Sequence, residues 1–117
     1  MFGPRSPSLR ILVRPGVTDM RKAINGLSVL VEQEMEFNLF EDGAVFLFCN
    51  RQRRIMKALF WDATGFCLVQ KRLEKHRFPW PQTAEQVREI TVRQLEMLLS
   101  GIDFWRAHER IEYRSVS

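Results

Sequence analysis

The amino-acid sequence predicts a single α+β domain, in which an antiparallel β-sheet of about four strands packs against an N-terminal and a C-terminal helix. Three observations predict this fold. Residues 45–71 contain short apolar runs joined by short polar loops, which is typical of an antiparallel meander. Apolar residues recur at helical spacings of three and four on both sides of this region. The length of 117 residues is enough for one hydrophobic core.

The first predicted strand is residues 9–13, an apolar run that contains Arg10 and is followed by Arg14, and Pro15 and Gly16 end it. A helix is expected next. Thr18 or Asp19 is expected to cap it, because their side-chain oxygens can accept hydrogen bonds from the first free backbone donors. The apolar face that would pack on the sheet consists of Met20, Ala23, Ile24, Leu27, Val31 and Met35.

Three apolar runs at 45–49, 55–61 and 66–71 form the predicted meander. The polar, basic loop 50–54 separates the first two runs, and the turn sequence 62–65 separates the last two. Alternation along the second run places apolar side chains on both of its faces. Both faces of the sheet are therefore expected to be covered, because a half-solvated sheet would show polar residues on one side.

Two prolines predict an extended segment after the meander. Pro79 and Pro81 each disfavour a helical conformation at the preceding residue, and neither can donate a backbone hydrogen bond. The segment 78–81 is therefore expected at a sheet edge or in a surface groove. A short edge strand is expected at 87–90.

A capping-box pattern predicts where the last helix begins. Thr91 and Gln94 have the spacing at which each side chain satisfies the backbone donor of the other. Gly101 is well placed to end this helix. The domain is expected to span residues 1–105, and residues 106–117 to form a polar C-terminal extension.

The charge of the chain indicates an anionic partner. The formal net charge is +4 and the isoelectric point is about 9.6. Positive charge is concentrated between residues 50 and 78, where Asp62 and Glu74 are the only acidic residues. The basic residues of that region are Arg51, Arg53, Arg54, Lys57, Lys71, Arg72, Lys75 and Arg77.

The sequence also predicts a cytoplasmic protein that does not enter a membrane. No apolar run is long enough to span a bilayer. The first seven residues contain two prolines and a glycine and do not resemble a signal peptide. The two cysteines, Cys49 and Cys67, are accordingly expected to be reduced thiols in the core.

Several short motifs recur in one order along the chain, and together they resemble a known family. They are Asp19-Met20-Arg21-Lys22, Gly26-Leu27, Trp61-Asp62-x-x-Gly65-Phe66-Cys67-Leu68, Lys71-Arg72-Leu73-Glu74, Arg77-Phe78-x-Trp80-Pro81 and Gln94-Leu95-x-x-Leu98-Leu99-x-Gly101-Ile102-Asp103. This combination resembles the small accessory protein encoded by the second open reading frame of insertion-sequence-66-type transposons, the TnpB or Orf2-like family. The likeness runs from about residue 3 to about residue 105. Ala63 and His76 depart from it, because the family commonly shows Gly at both positions.

The resemblance implies an accessory role in transposition, a form of DNA recombination carried out by a mobile element. In such elements a separate, larger transposase carries the catalytic acidic residues. DNA at the transposon ends is a second expected partner, but that hypothesis rests on the basic residues of this chain. The resemblance itself implies the process and one partner, namely the transposase. It implies no mechanism, which must come from the residues of this chain.

The residues suggest DNA binding through a basic β-hairpin. Arginine and lysine on a hairpin can contact phosphates, and a two-stranded ribbon fits the major groove. A solvated turn that protects a strand edge would show the same residues. The candidate DNA-binding residues are Arg51, Arg53, Arg54, Lys57, Lys71, Arg72, Lys75, Arg77, Arg21 and Lys22.

The alternative function is a protein–protein adaptor that docks the transposase or another element-encoded protein without contacting DNA. Phe78 and Trp80 are the candidate docking residues, because an aromatic residue between prolines near a sheet edge can form a partner surface. The second apolar face of the sheet could also be covered by a second copy of the chain. A second copy of the chain is therefore a further candidate partner, in a homo-oligomer.

The residues do not predict an enzyme. Asp19, Asp62 and Asp103 each have an ordinary structural explanation as a cap, a turn residue and a post-helix residue. Neither histidine has metal-ligand spacing from a cysteine. We therefore expect no catalytic residue, no metal site and no cofactor.

Overall fold

The computed structural model describes residues 9–41, 43–82 and 87–105, which form a mixed five-stranded sheet with a helical layer on each face. The strands lie in the order β4-β3-β2-β1-β5. Helix α1 continues directly into a π-helical turn. In chain order the elements are β1 (Arg10–Val13), α1 (Ile24–Leu30), the π-helical turn (Val31–Met35), β2 (Ala44–Cys49), β3 (Ile55–Asp62), β4 (Gly65–Arg72), β5 (Arg88–Ile90) and α2 (Val92–Leu99).

The predicted meander is confirmed in β2, β3 and β4. Val45 lies opposite Phe60 across the β2–β3 pair. Asp62 lies opposite Gly65 at the turn between β3 and β4. The short polar loops leave no room for a crossover, so successive strands must run in opposite directions.

The prediction of an antiparallel sheet of about four strands is correct for the meander and wrong for β1. Strand β1 pairs with β2 in parallel, with Arg10 opposite Ala44 and Val13 opposite Leu47. Helix α1 and the π-helical turn carry the chain back to the end at which β1 began, and a parallel pair requires such a crossover. The expected edge strand forms β5, which pairs antiparallel with β1 through Ile11 and Ile90.

Both faces of the sheet are covered, as the apolar alternation of β3 predicts. One face, represented by Phe46 and Leu59, packs against Leu27 of α1 and the π-helical turn. The other face packs against α2 and the segment 78–80. The buried residues of that second face are Ile11, Val13, Val45, Leu47, Cys49, Met56, Phe60, Phe78, Trp80, Ile90, Leu98 and Phe104.

The two helices differ in whether a side chain caps the free backbone N–H groups of the first turn. The capping box of α2 is confirmed, since Gln94 N donates to Thr91 Oγ1 at 3.1 Å and Thr91 N donates to Gln94 Oε1 at 2.9 Å. The predicted cap of α1 is wrong, because α1 begins only after Ala23 and has no side-chain cap. Thr18 and Asp19 instead accept hydrogen bonds from arginine side chains.

Candidate nucleic-acid interface

Two basic segments meet at one end of the sheet. They are the basic loop, residues 50–54, and the basic connection, residues 73–77. Leu73 N donates to the Arg54 carbonyl at 2.8 Å, and Phe78 N donates to the Arg53 carbonyl at 2.7 Å. These hydrogen bonds join the two segments into one surface, which we call the basic end.

Asn50 holds the basic loop in a defined conformation. Its Oδ1 accepts hydrogen bonds from Arg54 N at 3.0 Å and from Ile55 N at 3.1 Å. Its backbone carbonyl accepts from Arg53 N at 3.1 Å, and Arg53 adopts a left-handed conformation with φ of 60°. Asn50 thus accepts from three successive backbone donors at the end of the loop, and these hydrogen bonds constrain the loop backbone.

The exposed cations in the basic end, and Lys71 beside it, are largely uncompensated. Arg51, Lys71, Lys75 and Arg77 are exposed. Among the described residues, no carboxylate lies within 4.0 Å of their charged groups. The basic end therefore carries a local excess of positive charge.

The other arginines in and next to the two basic segments are partly engaged. Arg53 and Arg54 are half-buried, and Arg54 Nη1 donates to the Glu74 carbonyl at 3.3 Å. Exposed Arg72 places Nε 3.5 Å from Glu74 Oε1. Such an exposed ion pair is weak and remains open to exchange for an external anion.

Lys57 does not belong to this surface. Its side chain is buried, and its Nζ donates to the carbonyls of Met20 and Lys22, at 2.8 Å in each case. The ammonium satisfies two carbonyls of the segment before α1, and no phosphate can reach it in this structure. Because Lys57 is buried, it is not part of the DNA-binding surface proposed below.

The segment that carries Arg21 and Lys22 lies beside the basic loop. Thr18 N donates to the Cys49 carbonyl at 2.8 Å, which places this segment at the end of β2. A groove between the two segments is lined by residues 17–20 and 50–52. Arg21 and Lys22 are both exposed, so the structure brings them to the same end of the molecule as the basic loop.

Arg21 differs from Lys22 in being paired. Its Nη2 lies 2.8 Å from Asp19 Oδ2, and its backbone N donates to Asp19 Oδ1 at 2.9 Å. Hydrogen bonds from the Arg21 side chain, and then from its backbone, lower the pKa of Asp19 to about 2. The same pair raises the pKa of Arg21. The Arg21 charge is therefore compensated locally.

Phe78 and Trp80, the candidate docking residues, are buried in this structure. Phe78 is fully buried, and Trp80 is 4% exposed. The Trp80 indole Nε1 donates to the Arg14 carbonyl at 2.8 Å. The extended segment lies over the sheet and covers its second face, so neither ring is presented to a partner.

The structure shows an aromatic cluster that sequence reasoning missed. Phe40, Trp61 and Phe66 meet next to the β3–β4 turn. This turn lies at the end of the sheet opposite the basic end, and we call that end of the sheet the turn end. The ring centroids of Trp61 and Phe66 are 5.0 Å apart, and that of Phe40 lies 5.1 Å from Trp61. Phe40 is 57% exposed, and the other two are half-buried. Phe40 is distant in sequence, and no local pattern marks the contact.

The turn end also contains an arginine, but its charge is compensated. Arg10 Nη2 lies 2.9 Å from Glu89 Oε1, and Arg10 Nη1 lies 3.5 Å from Glu41 Oε2. The hydrogen bond from Arg10 lowers the pKa of Glu89. The two ends of the sheet therefore differ in free positive charge.

Comparison with known proteins identifies the family. The family described as IS66 Orf2-like protein matches residues 9–109, which is most of the chain. The chain belongs to the IS66 Orf2-like family. This confirms the resemblance drawn from the motifs, and it indicates a transposition-associated accessory role in a family that is not a known catalytic one.

Two relatives from Sinorhizobium fredii (strain NBRC 101917 / NGR234) support this family assignment. The uncharacterized protein y4hO is 37% identical over 103 residues, which cover 88% of each chain. The uncharacterized protein y4jC is 28% identical over 110 residues, which cover 94% of this chain and 92% of the relative. No solved structure matches the chain significantly.

The described residues of the chain contain no helix that could span a membrane. Neither helix there is long and apolar enough to cross a bilayer. Among the same residues, no group of three or more His, Cys, Asp or Glu side chains is placed to hold a metal ion.

Proposed function

We propose that this IS66 Orf2-like chain is a non-catalytic accessory factor that binds DNA through the basic end. The observation that supports the proposal is the hydrogen-bonded junction of the basic loop and the basic connection. It brings exposed Arg51, Lys75 and Arg77 together on one fixed surface. Fixed cations that lack internal carboxylate partners suit the phosphates of a duplex, and each phosphate contact releases condensed counterions.

The position of the basic loop also suits a duplex. The loop joins β2 and β3 at one end of the sheet. Because both strands lie inside a sheet that is covered on its two faces, the exposed side chains of the loop, and not the strands, would contact the phosphates. Lys22 and Lys71 extend the surface on either side. Contacts of this type position a protein on DNA, and sequence reading would need additional contacts to base edges.

The placement of the carboxylates supports a role without catalysis. Asp19 lies at the basic end and is paired with Arg21, whereas Asp62 lies at the turn end. Two-metal phosphoryl chemistry needs several carboxylates at one point. These two carboxylates are separated by the length of β3.

The test is fluorescence anisotropy with two labelled duplexes, one carrying the terminal repeat of the element and one scrambled, each titrated at several salt concentrations. The variant is Arg51→Gln with Arg77→Gln. The matched control is Arg88→Gln with Arg93→Gln, which removes the same charge from exposed positions on β5 and α2. We expect the basic-end variant to bind more weakly and to lower the salt slope by about 2, because each lost phosphate contact removes about 0.9.

The control should bind as the wild type does. Equal losses in both double variants would mean that binding follows net charge and not the basic end. A wild-type chain that binds neither duplex at low salt would refute the proposal. Tighter binding to the terminal repeat than to the scrambled duplex would identify the transposon end as the target.

The aromatic cluster supports a second candidate function, which is docking of the separate transposase. Phe40, Trp61 and Phe66 form a partly exposed apolar surface at the turn end, away from the basic end. Phe40→Ala should then reduce capture of the purified transposase and leave DNA affinity unchanged. The basic-end variant should show the reverse pattern. If Phe40→Ala leaves capture intact, this candidate is rejected.

A further inference from the structure

The two edges of the sheet differ in how well they resist pairing with another strand. Strand β5 has three residues at one edge, whereas β4 has eight at the other. Within the described parts of the chain, no strand pairs with the outer side of β4. Short strands, prolines and charges usually protect an edge, and residues 65–69 contain neither proline nor charge. Among the described residues, β4 is therefore an open template for a further strand.

The register shows which backbone groups of β4 point outwards. Leu73 N donates to the Arg54 carbonyl, and these residues continue the β3–β4 register. Hydrogen-bonded and non-hydrogen-bonded pairs alternate along an antiparallel ladder, so the odd-numbered residues of β4 face β3. The outward N–H and C=O groups belong to Phe66, Leu68, Gln70 and Arg72.

The side chains of β4 change in character from one end to the other. Phe66 begins the strand in the aromatic cluster, and the exposed cations Lys71 and Arg72 end it. Val69 is apolar yet 46% exposed near the middle. An antiparallel strand of the same sequence places the cationic end of each copy against the aromatic end of the other. Parallel pairing would instead place like charges side by side.

We infer that β4 is the interface between two copies of this chain, paired antiparallel about a two-fold axis at Val69. In this register Val69 faces Val69 of the second copy, and Phe66 faces Arg72 of the second copy. Leu68 and Gln70 also face each other across the interface. All the outward backbone groups are then paired, in about eight hydrogen bonds. The two sheets become one continuous sheet through an isologous contact, and this inference does not depend on DNA binding.

The first test is sedimentation velocity of the full chain over a range of micromolar concentrations. The wild type should sediment as a dimer that dissociates on dilution. Val69→Lys places two ammonium groups directly opposite each other and should weaken association at least about tenfold. The matched control is Val29→Lys on α1, where the replaced valine is 49% exposed. The control should remain dimeric.

Two outcomes of this test would overturn the inference. One is a wild type that is monomeric over the whole range. The other is a Val69→Lys variant that associates as well as Val29→Lys does, because the dimer would then use another surface. Circular dichroism melting of both variants shows whether a loss of association is accompanied by a loss of fold.

The second test uses disulfide cross-linking to detect which residues face each other across the interface. It does not depend on whether Val69→Lys folds. Val69→Cys, made in a Cys67→Ser background, places two thiols at a directly opposed, non-hydrogen-bonded pair. The Cα atoms of such a pair are about 4.5 Å apart, which a disulfide can bridge. Mild oxidation should give a covalent dimer on a non-reducing gel. Val29→Cys in the same background should stay monomeric, and equal cross-linking of the two variants, or no cross-link at position 69, would refute the register.

Discussion

The basic end and the turn end of the sheet use arginine in different ways. At the turn end, Arg10 is held by Glu89 and Glu41, and its guanidinium carbon lies 5.2 Å from the centroid of the Phe37 ring. At the basic end, Arg51 and Arg77 have no carboxylate within 4.0 Å among the described residues. Paired charges contribute to the fold, whereas unpaired charges on a fixed backbone are available to an external anion.

The two ends also differ in how aromatic side chains are placed. Phe78 is fully buried directly after the basic connection, whereas Phe40 is 57% exposed at the turn end. The basic end therefore combines unpaired exposed cations with a buried aromatic ring. The turn end combines a paired arginine with an exposed aromatic ring. Each end thus offers a different chemistry to a partner.

The largest expected effect comes from removing the anchor of the basic end. Phe78→Ala deletes a fully buried ring and should lower the free energy of unfolding by about 3–5 kcal/mol. The matched variant at the turn end is Phe40→Ala, where the loss should be about 1 kcal/mol or less because the ring is largely solvated. Urea denaturation of both variants measures the difference. Similar losses would show that the two ends are not anchored differently.

A smaller effect should separate two lysines that sequence reasoning placed on one surface. Lys57→Met leaves the Met20 and Lys22 carbonyls without their donor and should cost about 1–3 kcal/mol of stability. Lys71→Met, at an exposed site, should leave stability unchanged and weaken DNA binding. The two variants are compared by urea denaturation and by anisotropy. A Lys57→Met variant of normal stability would contradict the structural role of this ammonium.

A still smaller effect concerns the two positions at which the chain departs from the family pattern. Ala63 at the turn end has φ of 52°, and His76 at the basic end has φ of 66°. A left-handed conformation costs an L-residue about 1–2 kcal/mol, and replacement by glycine removes this strain. The greater flexibility of glycine in the unfolded chain cancels part of the resulting stabilisation. Ala63→Gly and His76→Gly should each stabilise the fold by about 0.5–1 kcal/mol in thermal unfolding. Destabilisation by either change would show that its side chain makes a contact worth more than the strain.

The smallest expected effect is on DNA affinity, when Arg21 loses its ion pair with Asp19. Asp19→Asn removes the paired carboxylate, so it should raise DNA affinity slightly and increase the salt slope by less than about 1. The pKa of Asp19 falls from its usual 3.8 to about 2 in the fold. The pair therefore stabilises the fold above about pH 4, and this contribution is lost as the pH falls towards about 2.

The pH dependence supplies an independent measurement for the same pair. The melting temperatures of wild type and Asp19→Asn should differ slightly near neutral pH, because Asp19 and Arg21 are both exposed to solvent. The difference should disappear below about pH 2. A difference that grows as the pH falls would have the wrong sign for this ion pair.

The sequence was most informative where structure depends on neighbouring residues. The β2–β4 meander follows from alternating side chains and from turn residues such as Asp62 and Gly65, all of which act locally. The capping box of α2 is likewise contained in residues 91–94. The family was also recognisable from motifs in the sequence, and the family comparison confirms it.

The features that sequence reasoning missed depend on contacts between distant residues. Lys57 looks like an ordinary exposed strand lysine until the carbonyls of Met20 and Lys22 are brought to it. The prolines around Trp80 exclude a helix, but they do not say which surface the ring covers. The direction of β1 depends on the crossover through α1. Only a tertiary structure shows where these elements meet.

The position of β1 has a consequence for how the chain is made. Strand β1 is synthesised first, yet it lies between β2 and β5, and Ile11 pairs with Ile90. The β2–β4 hairpins involve neighbouring residues and can close while the polypeptide is still leaving the ribosome, whereas contacts at long sequence separation form slowly. We therefore expect β1 to complete its pairing only after β5 has been synthesised. A nascent protein truncated before β5 would keep one edge of its earliest strand open to other molecules.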